Sequence, residues 1–169
     1  ASSAETVGRP RLAAGSLANL VVSFVILLMV YGWGGGFHWG SALLRATNDT
    51  IQGIVLTCFG LAQLLTGKVG LSALSGPIGI VSVTGEMVNY GAPFLGRFLA
   101  FLGINLAVLN GLPLPALDGG RFLIECIQSI TPFKIKETFL ARVHLAGALA
   151  LIILMVVITW LDITKLSVR

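Results

Sequence analysis

The sequence predicts an all-α integral membrane protein, and three observations lead to that fold class: its composition, its long uncharged runs and its few acidic residues. Of 169 residues, 56% are hydrophobic and 11% are charged, and the mean hydropathy is +0.94. Soluble domains carry about 25% charged residues, so seven acidic residues are too few for a soluble surface of this size. We predict one membrane domain over 1–169 with three transmembrane helices, at about 12–31, 94–112 and 144–161.

The charge pattern narrows the expected partners. A net charge of +4 is spread along the chain, without the basic block and interleaved aromatics that nucleic-acid-binding proteins show. We therefore expect a lipid bilayer as a partner, and no nucleic acid. Cys58 and Cys126 are isolated in apolar sequence, which indicates small buried hydrophobic residues and not a disulfide or metal pair.

The first predicted span follows a polar tail at residues 1–11. Residues 12–31 are uncharged and, as a helix, long enough to cross about 30 Å of hydrocarbon. Small residues in its first half allow a neighbouring helix to approach closely. Glycines and tryptophans end this helix at a membrane interface, and we interpret His38 there as a headgroup or water contact.

Residues 32–93 are predicted to be a loop that contains an interfacial or partly inserted helix at about 50–65 and a Gly-Pro segment. The helix has about sixteen apolar positions, which is marginal for a span. Gly76 and Pro77 loosen the backbone and remove an amide donor. The short run after Pro77 fits either an extended segment or the start of a helix.

Two asparagines lie within or at the end of the second predicted span. Asn105 and Asn110 place amides in apolar sequence, where such groups bond across helices or line a polar cavity. Pro113 and Pro115 then end the helix and favour extended backbone before them. Because non-helical backbone at membrane depth needs protein or water around it, we predict a buried or cavity-lining turn over 112–120.

Residues 113–142 are predicted to be a Pro/Gly turn followed by an amphipathic helix, and this region contains Asp118. Asp118 is the first acidic residue after Glu86, and a carboxylate between two apolar runs is costly unless it is used. Its spacing leaves three interpretations open: a metal ligand, a helix N-cap, or half of a buried ion pair with Arg121 or another arginine.

The turn resembles a known family. Asn110-x-x-Pro113-x-Pro115-x-Leu117-Asp118-Gly119-Gly120 is similar to the second motif of the site-2 proteases, the intramembrane zinc metalloproteases. Two further stretches, at 75–80 and 15–19, resemble other segments of that family. The resemblance implies that Asp118 is the third zinc ligand and that Asn110 and the Pro-rich turn, with Pro113 and Pro115, shape a peptide-binding cleft. We expect structural roles for the remaining candidate residues, Gly119, Gly120, Asn105, Gly76 and Pro77.

One departure from the family decides the predicted function. Family members carry H-E-x-x-H on their first transmembrane helix, where two histidines bind zinc and the glutamate activates water. The chain has no such motif, since His38 and His144 are far apart and neither adjoins a glutamate. The PDZ-type domain of many members also has no room between 32 and 70.

We therefore predict a non-catalytic relative without a cofactor, acting as a structural or accessory subunit among other membrane-protein subunits. The start without methionine suggests an imported protein, so the expected location is the thylakoid or mitochondrial inner membrane, in a photosynthetic or respiratory complex. The alternative is an intramembrane zinc metalloprotease whose H-E-x-x-H helix is missing from this chain or supplied by another polypeptide.

Overall fold

The computed structural model describes residues 5–32, 39–114, 117–130 and 137–167, and over these residues every regular element is a helix. In chain order they are α1 (Glu5–Gly32), α2 (Trp39–Leu65), α3 (Pro77–Tyr90), α4 (Ala92–Gly111), α5 (Asp118–Ile130) and α6 (Glu137–Ser167). A short 3-10 helix at Leu71–Ala73 precedes α3. The predicted all-α fold class is confirmed.

Four segments of the described chain are long and apolar enough to cross a membrane, namely Gly15–Gly32, Leu71–Tyr90, Ala92–Gly111 and Thr138–Lys165. Three of them correspond to the predicted spans. The fourth, Leu71–Tyr90, lies in the region predicted as a loop. The integral membrane assignment is therefore confirmed, with one more candidate span than the sequence predicted.

The fourth candidate span is not one continuous helix: a 3-10 helix covers Leu71–Ala73, and α3 begins only at Pro77. Gly76 is the extended N-cap of α3 and Pro77 is in its first turn. Proline suits that position because its missing N–H would have no helical partner anyway. At the other end, Gly91 adopts φ +100° between α3 and α4, a conformation that glycine reaches without steric cost.

Several helices are longer than predicted. Helix α1 begins at Glu5, so part of the predicted polar tail is helical. Helix α2 contains the predicted 50–65 helix but starts at Trp39, because Ala42 and Ala46 continue its buried face at the spacing of one helical turn. Helix α6 begins at Glu137 and so includes the end of the predicted 113–142 region.

Helices α1 and α4 form the central pair, and small residues on α4 bring them together. A Cβ atom at Gly96 would lie 2.5 Å from Val30 Cγ2, and one at Gly103 would overlap Ser23 Oγ. Ala100 is fully buried between these two glycines. Small residues at this spacing let two membrane helices approach until their backbones nearly touch.

Helix α2 packs on the same pair through its own small residues. Ala42, Ala46, Thr50 and Gly53 are its buried positions. A Cβ at Gly53 would lie 3.1 Å from Ile104 Cδ1, and Ile104 is among the largest fully buried side chains of the described residues. The described core is therefore built where α1, α2 and α4 meet.

Helix α6 contacts the start of α3 through a buried carboxylate. Asp162 is only 4% exposed, and its Oδ2 accepts a hydrogen bond of 2.8 Å from the Gly79 N–H. Lys165 Nζ lies 3.6 Å from Asp162 Oδ1 and donates to the Leu74 carbonyl at 3.3 Å. This contact places the Gly-Pro segment against the last helix.

Candidate functional site

The candidate site is the turn that joins α4 to α5. Helix α4 ends at Gly111, and Leu112 is extended with φ −66° and ψ 146°. Pro113 cannot continue the helix because it has no N–H to donate. The Leu114 N–H donates to the Leu112 carbonyl at 2.7 Å, and the Leu117 N–H donates to the Leu114 carbonyl at 3.0 Å. Pro115, predicted to shape the cleft, lies outside the described residues.

The turn closes on a direct backbone contact at Gly119. A Cβ atom there would overlap the carbonyl oxygens of both Gly111 and Leu112 and would lie 2.6 Å from the Gly111 carbonyl carbon. Gly120, the next residue, is buried. The first turn of α5 therefore rests on the last carbonyls of α4, and this contact requires glycine at position 119.

Asp118 is the first residue of α5 and faces Gly15, about three turns into α1. Its Oδ2 atom lies 2.8 Å from the point that a Cβ at Gly15 would occupy. The Leu117 carbonyl accepts the first helical bonds, from the N–H groups of Gly120 and Arg121. Among the side chains that the structure describes, those of residues 15–32, 39–114, 117–130 and 138–165, none donates a hydrogen bond to the Asp118 carboxylate or forms an ion pair with it.

Arg121, considered as an ion-pair partner for Asp118, bonds elsewhere. Its Nε donates to His144 Nε2 at 3.0 Å, which connects α5 to the first half of α6. The other ring nitrogen, His144 Nδ1, is buried without a partner in the described chain, and so is Glu125 Oε2. The described residues thus show neither a capping hydrogen bond to the Asp118 carboxylate nor an ion pair between Asp118 and Arg121.

The two asparagines of α4 occupy different surroundings. The Thr57 hydroxyl donates to Asn105 Oδ1, so this amide joins α4 to α2. Asn110 is half-buried in the last turn of α4, next to the backbone contact at Gly119. Pro113 lies three residues further along the chain and its ring is exposed.

The sequence analysis missed Asp162, whose carboxylate contacts the Gly76–Gly79 turn. A Cβ at Gly76 would lie 2.8 Å from Asp162 Oδ2, so the predicted structural role of Gly76 has a definite neighbour. The signal was present, because an acidic residue directly after a long apolar run is costly unless it has a partner.

The described residues meet only part of the requirement for a zinc site. They contain no group of three or more histidine, cysteine, aspartate or glutamate side chains placed to hold a metal ion. A catalytic zinc site commonly takes three protein ligands. Asp118 fits as one of them, because its carboxylate is unpaired within the described chain and faces a glycine. His38 lies outside the described residues.

Comparison with protein-family models matches residues 11–157 to Peptidase family M50. The chain is 42% identical over 121 residues to "Zinc metalloprotease RasP" of Geobacillus kaustophilus, covering 68% of this chain and 29% of that protein. It is 40% identical over 126 residues to "Regulator of sigma-W protease RasP" of Bacillus subtilis, covering 75% and 30%.

A third relative, "Regulator of sigma-E protease RseP" of Salmonella typhimurium, is 36% identical over 126 residues, covering 75% of this chain and 28% of that protein. The chain thus spans less than a third of the length of these curated relatives. No solved structure matches the chain.

These relatives overturn part of the sequence-based prediction. They are named as proteases, two of them regulators of sigma factors, so the expected non-catalytic subunit of a photosynthetic or respiratory complex is wrong. The expectation of no cofactor is also wrong, since the name of one relative specifies zinc. Their bacterial sources give no support to a thylakoid or mitochondrial location. The Asn110–Gly120 turn identified the family, whereas the absence of H-E-x-x-H from this sequence did not indicate a loss of activity.

Proposed function

This chain belongs to peptidase family M50, and we propose that it forms part of the membrane domain of an intramembrane zinc metalloprotease, in which Asp118 is one zinc ligand. The observation that carries the proposal is the unpaired Asp118 carboxylate, held at the start of α5 and facing Gly15. A carboxylate in membrane-spanning sequence without a partner is a functional candidate by default.

The remaining ligands are proposed to come from outside this sequence. Zinc sites in metalloproteases of this kind use a histidine pair one helical turn apart with an adjacent glutamate, and the chain contains no H-E-x-x-H. We assign these groups to another segment of the same protein or to a second membrane subunit. Gly15 has no side chain where Asp118 Oδ2 lies, so the carboxylate packs directly against the backbone of α1.

The residues of this chain have positioning roles in the proposed reaction. Asp118 is fixed because Gly119 rests on the α4 carbonyls, and the N-terminal end of α5 favours its negative charge. Asn110 and Pro113 border the same turn and are assigned to the cleft that receives the substrate chain. Zinc held by Asp118 and the other ligands would supply Lewis-acid chemistry for the activation of water. The reaction class is hydrolysis of a peptide bond within a membrane-embedded substrate.

The test is the zinc content of the complete native protein, measured by elemental analysis after purification in detergent. We expect about one zinc per protein, and at least a tenfold loss of bound zinc on Asp118→Asn, since ligand changes remove the anionic oxygen that the metal prefers. Glu86→Gln is the matched control, because Glu86 is an exposed carboxylate on α3. It should retain the metal.

Hydrolysis of a single-span reporter protein provides the second readout. Asp118→Asn should abolish cleavage, while Glu86→Gln should leave it unchanged. Zinc content unaffected by Asp118→Asn, or a wild-type protein that holds no zinc and still cleaves, would show that the assignment is wrong.

A further inference from the structure

A second polar cluster lies at the opposite end of α1 from Asp118. Tyr31 and Gly15 are separated by sixteen positions on α1, which is about 24 Å along a helix. The Tyr31 hydroxyl donates to Asp49 Oδ2 on α2. The Arg97 guanidinium of α4 lies over the Tyr31 ring, with 4.7 Å between its central carbon and the ring centroid. Three helices therefore contribute one charged or polar group each.

Asp49 and Arg97 of this cluster border a cavity of about 230 Å³ between α1, α2 and α4. Asp49, Gln52 and Arg97 form its polar wall, and Leu27, Phe101 and Ile104 form much of its apolar wall. The volume is large enough for a small headgroup. The cluster belongs to neither the candidate zinc site nor its turn.

The charges in this cavity are not satisfied by each other. Within the described chain, Arg97 forms no hydrogen bond or ion pair, and its described interaction is with the Tyr31 ring. Asp49 accepts the tyrosine hydroxyl through one oxygen. A guanidinium near hydrocarbon is costly without an anion, and its forked donors suit a phosphate, which they can bind through two parallel hydrogen bonds.

The cavity also has the polarity gradient of a lipid molecule. Arg97 is in the second turn of α4, and Tyr31 is in the last turn of α1, so both lie near the end of a span. Leu27 and Phe101 lie one helical turn deeper on the same helices, and Ile104 lies almost one turn below Phe101. A headgroup beside Arg97 would therefore continue into acyl chains along these apolar residues.

We propose that this cavity binds the headgroup of a zwitterionic phospholipid that carries a primary ammonium group, such as phosphatidylethanolamine. The phosphate contacts Arg97, and the ammonium donates hydrogen bonds to the remaining Asp49 oxygen. A quaternary ammonium has no N–H to donate, and the glycerol headgroup of phosphatidylglycerol has hydroxyl donors but no positive charge to pair with Asp49. The site therefore favours phosphatidylethanolamine over phosphatidylcholine and phosphatidylglycerol.

The test is native mass spectrometry of the complete native protein in detergent, with each of the three phospholipids added in turn. We expect one retained phosphatidylethanolamine per protein and at least tenfold less phosphatidylcholine or phosphatidylglycerol. Arg97→Gln should lower the retained phosphatidylethanolamine about tenfold. Lys68→Gln, which removes an exposed cation from the turn after α2, is the charge-matched control and should leave retention unchanged.

Asp49→Asn distinguishes the contribution of the ammonium group to binding from that of the phosphate. It should remove the preference for phosphatidylethanolamine over phosphatidylcholine while leaving phosphate-dependent binding in place. Inorganic phosphate at millimolar concentration is a separate arm: if it displaces the lipid from the wild-type protein, the cavity is a phosphate site and not a lipid site. Equal retention of all three lipids, or full retention by Arg97→Gln, would overturn the proposal.

A stability measurement covers the case in which Arg97→Gln unfolds. Added phosphatidylethanolamine should raise the Tm of the wild-type protein and of Lys68→Gln. Arg97→Lys keeps the positive charge but loses the forked geometry, so it should fold and show a smaller rise. An identical rise in Tm for Arg97→Lys and wild type would contradict the specific phosphate contact. Zinc content does not depend on this cavity, so failure here leaves the proposed function standing.

Discussion

The carboxylate of Asp162 accepts a hydrogen bond of 2.8 Å from the Gly79 N–H, across 83 positions of sequence. Gly79 is in the first turn of α3, where N–H groups have no helical partner. An aspartate from α6 thus does what a local capping residue normally does, and it does so from a buried position. The pair ties the last helix to the Gly-Pro segment.

Removing this carboxylate should destabilise the protein. Asp162→Ala leaves the Gly79 N–H without its acceptor, and loss of a cap of this kind costs about 1–2 kcal/mol. Asp162→Asn keeps an oxygen acceptor and should cost less. Lys165→Met removes the ion pair together with the bond to the Leu74 carbonyl, and it should have a smaller effect because the lysine is nearly half exposed. The free energy of unfolding of all three variants can be measured by titration with a denaturing detergent. Equal losses of stability for Asp162→Ala and Asp162→Asn would contradict the capping role.

Gly119→Ala should disrupt the α4–α5 turn. The added Cβ overlaps two backbone carbonyl oxygens, and because backbone atoms cannot rotate away, the helices must separate at a cost of about 2–3 kcal/mol. Gly111→Ala is the matched control in the same turn, since a Cβ there meets nothing within 4 Å. We expect the control to be neutral or slightly stabilising in thermal unfolding. Similar losses of unfolding free energy for both variants would show that the contact at Gly119 does not determine the stability of the turn.

The close approach of α1 and α4 predicts a coupled pair of substitutions. Gly103→Ala brings its Cβ into Ser23 Oγ and should cost about 1–3 kcal/mol. Ser23→Ala removes that oxygen, so the double variant should recover about 1 kcal/mol of the loss. Gly85→Ala is the control, because its Cβ meets no atom within 4 Å. A double-mutant cycle with no coupling energy would contradict the predicted contact.

The hydrogen bond from Thr57 to Asn105 predicts a weaker coupling between α2 and α4. Hydrogen bonds between membrane helices contribute about 0.6 kcal/mol on average. Thr57→Val and Asn105→Leu should therefore show a coupling energy of that size in unfolding experiments. Additive losses would mean that each polar group acts independently of the other.

The sequence was sufficient to predict the fold class and three of the spans. Long uncharged runs determine helices in a membrane, and a proline after such a run cannot donate the N–H that would continue the helix. The role of Gly76 and Pro77 was harder to predict, because a Gly-Pro pair interrupts a helix or begins one depending on the residues after it. The start of α2 at Trp39 accompanies the burial of Ala42 and Ala46 against the other helices, which sequence periodicity does not reveal.

The candidate site was predicted in part. The motif identified Asp118 as a candidate. The spacing of the motif did not distinguish a metal ligand from a helix cap or an ion pair, because the ion pair depends on which group Arg121 contacts in the fold. Two contacts join distant parts of the chain here: the bond from Arg121 to His144 and the close approach of Asp118 to Gly15. Asp162 was overlooked because its partner is a backbone N–H, and every residue but proline carries that group.

The contact of Gly119 with the carbonyl groups of Gly111 and Leu112 also limits which substitutions this sequence can accept during evolution. Leu114 and Phe122 are each more than two-fifths exposed. Other hydrophobic side chains can therefore replace them without rearranging the helices. The obstacle at 119 consists of main-chain atoms, and no compensating substitution elsewhere can shrink them. A saturation library of the turn, scored by folding and not by activity, should therefore tolerate most substitutions except those at position 119, where the cost depends on the path of the backbone.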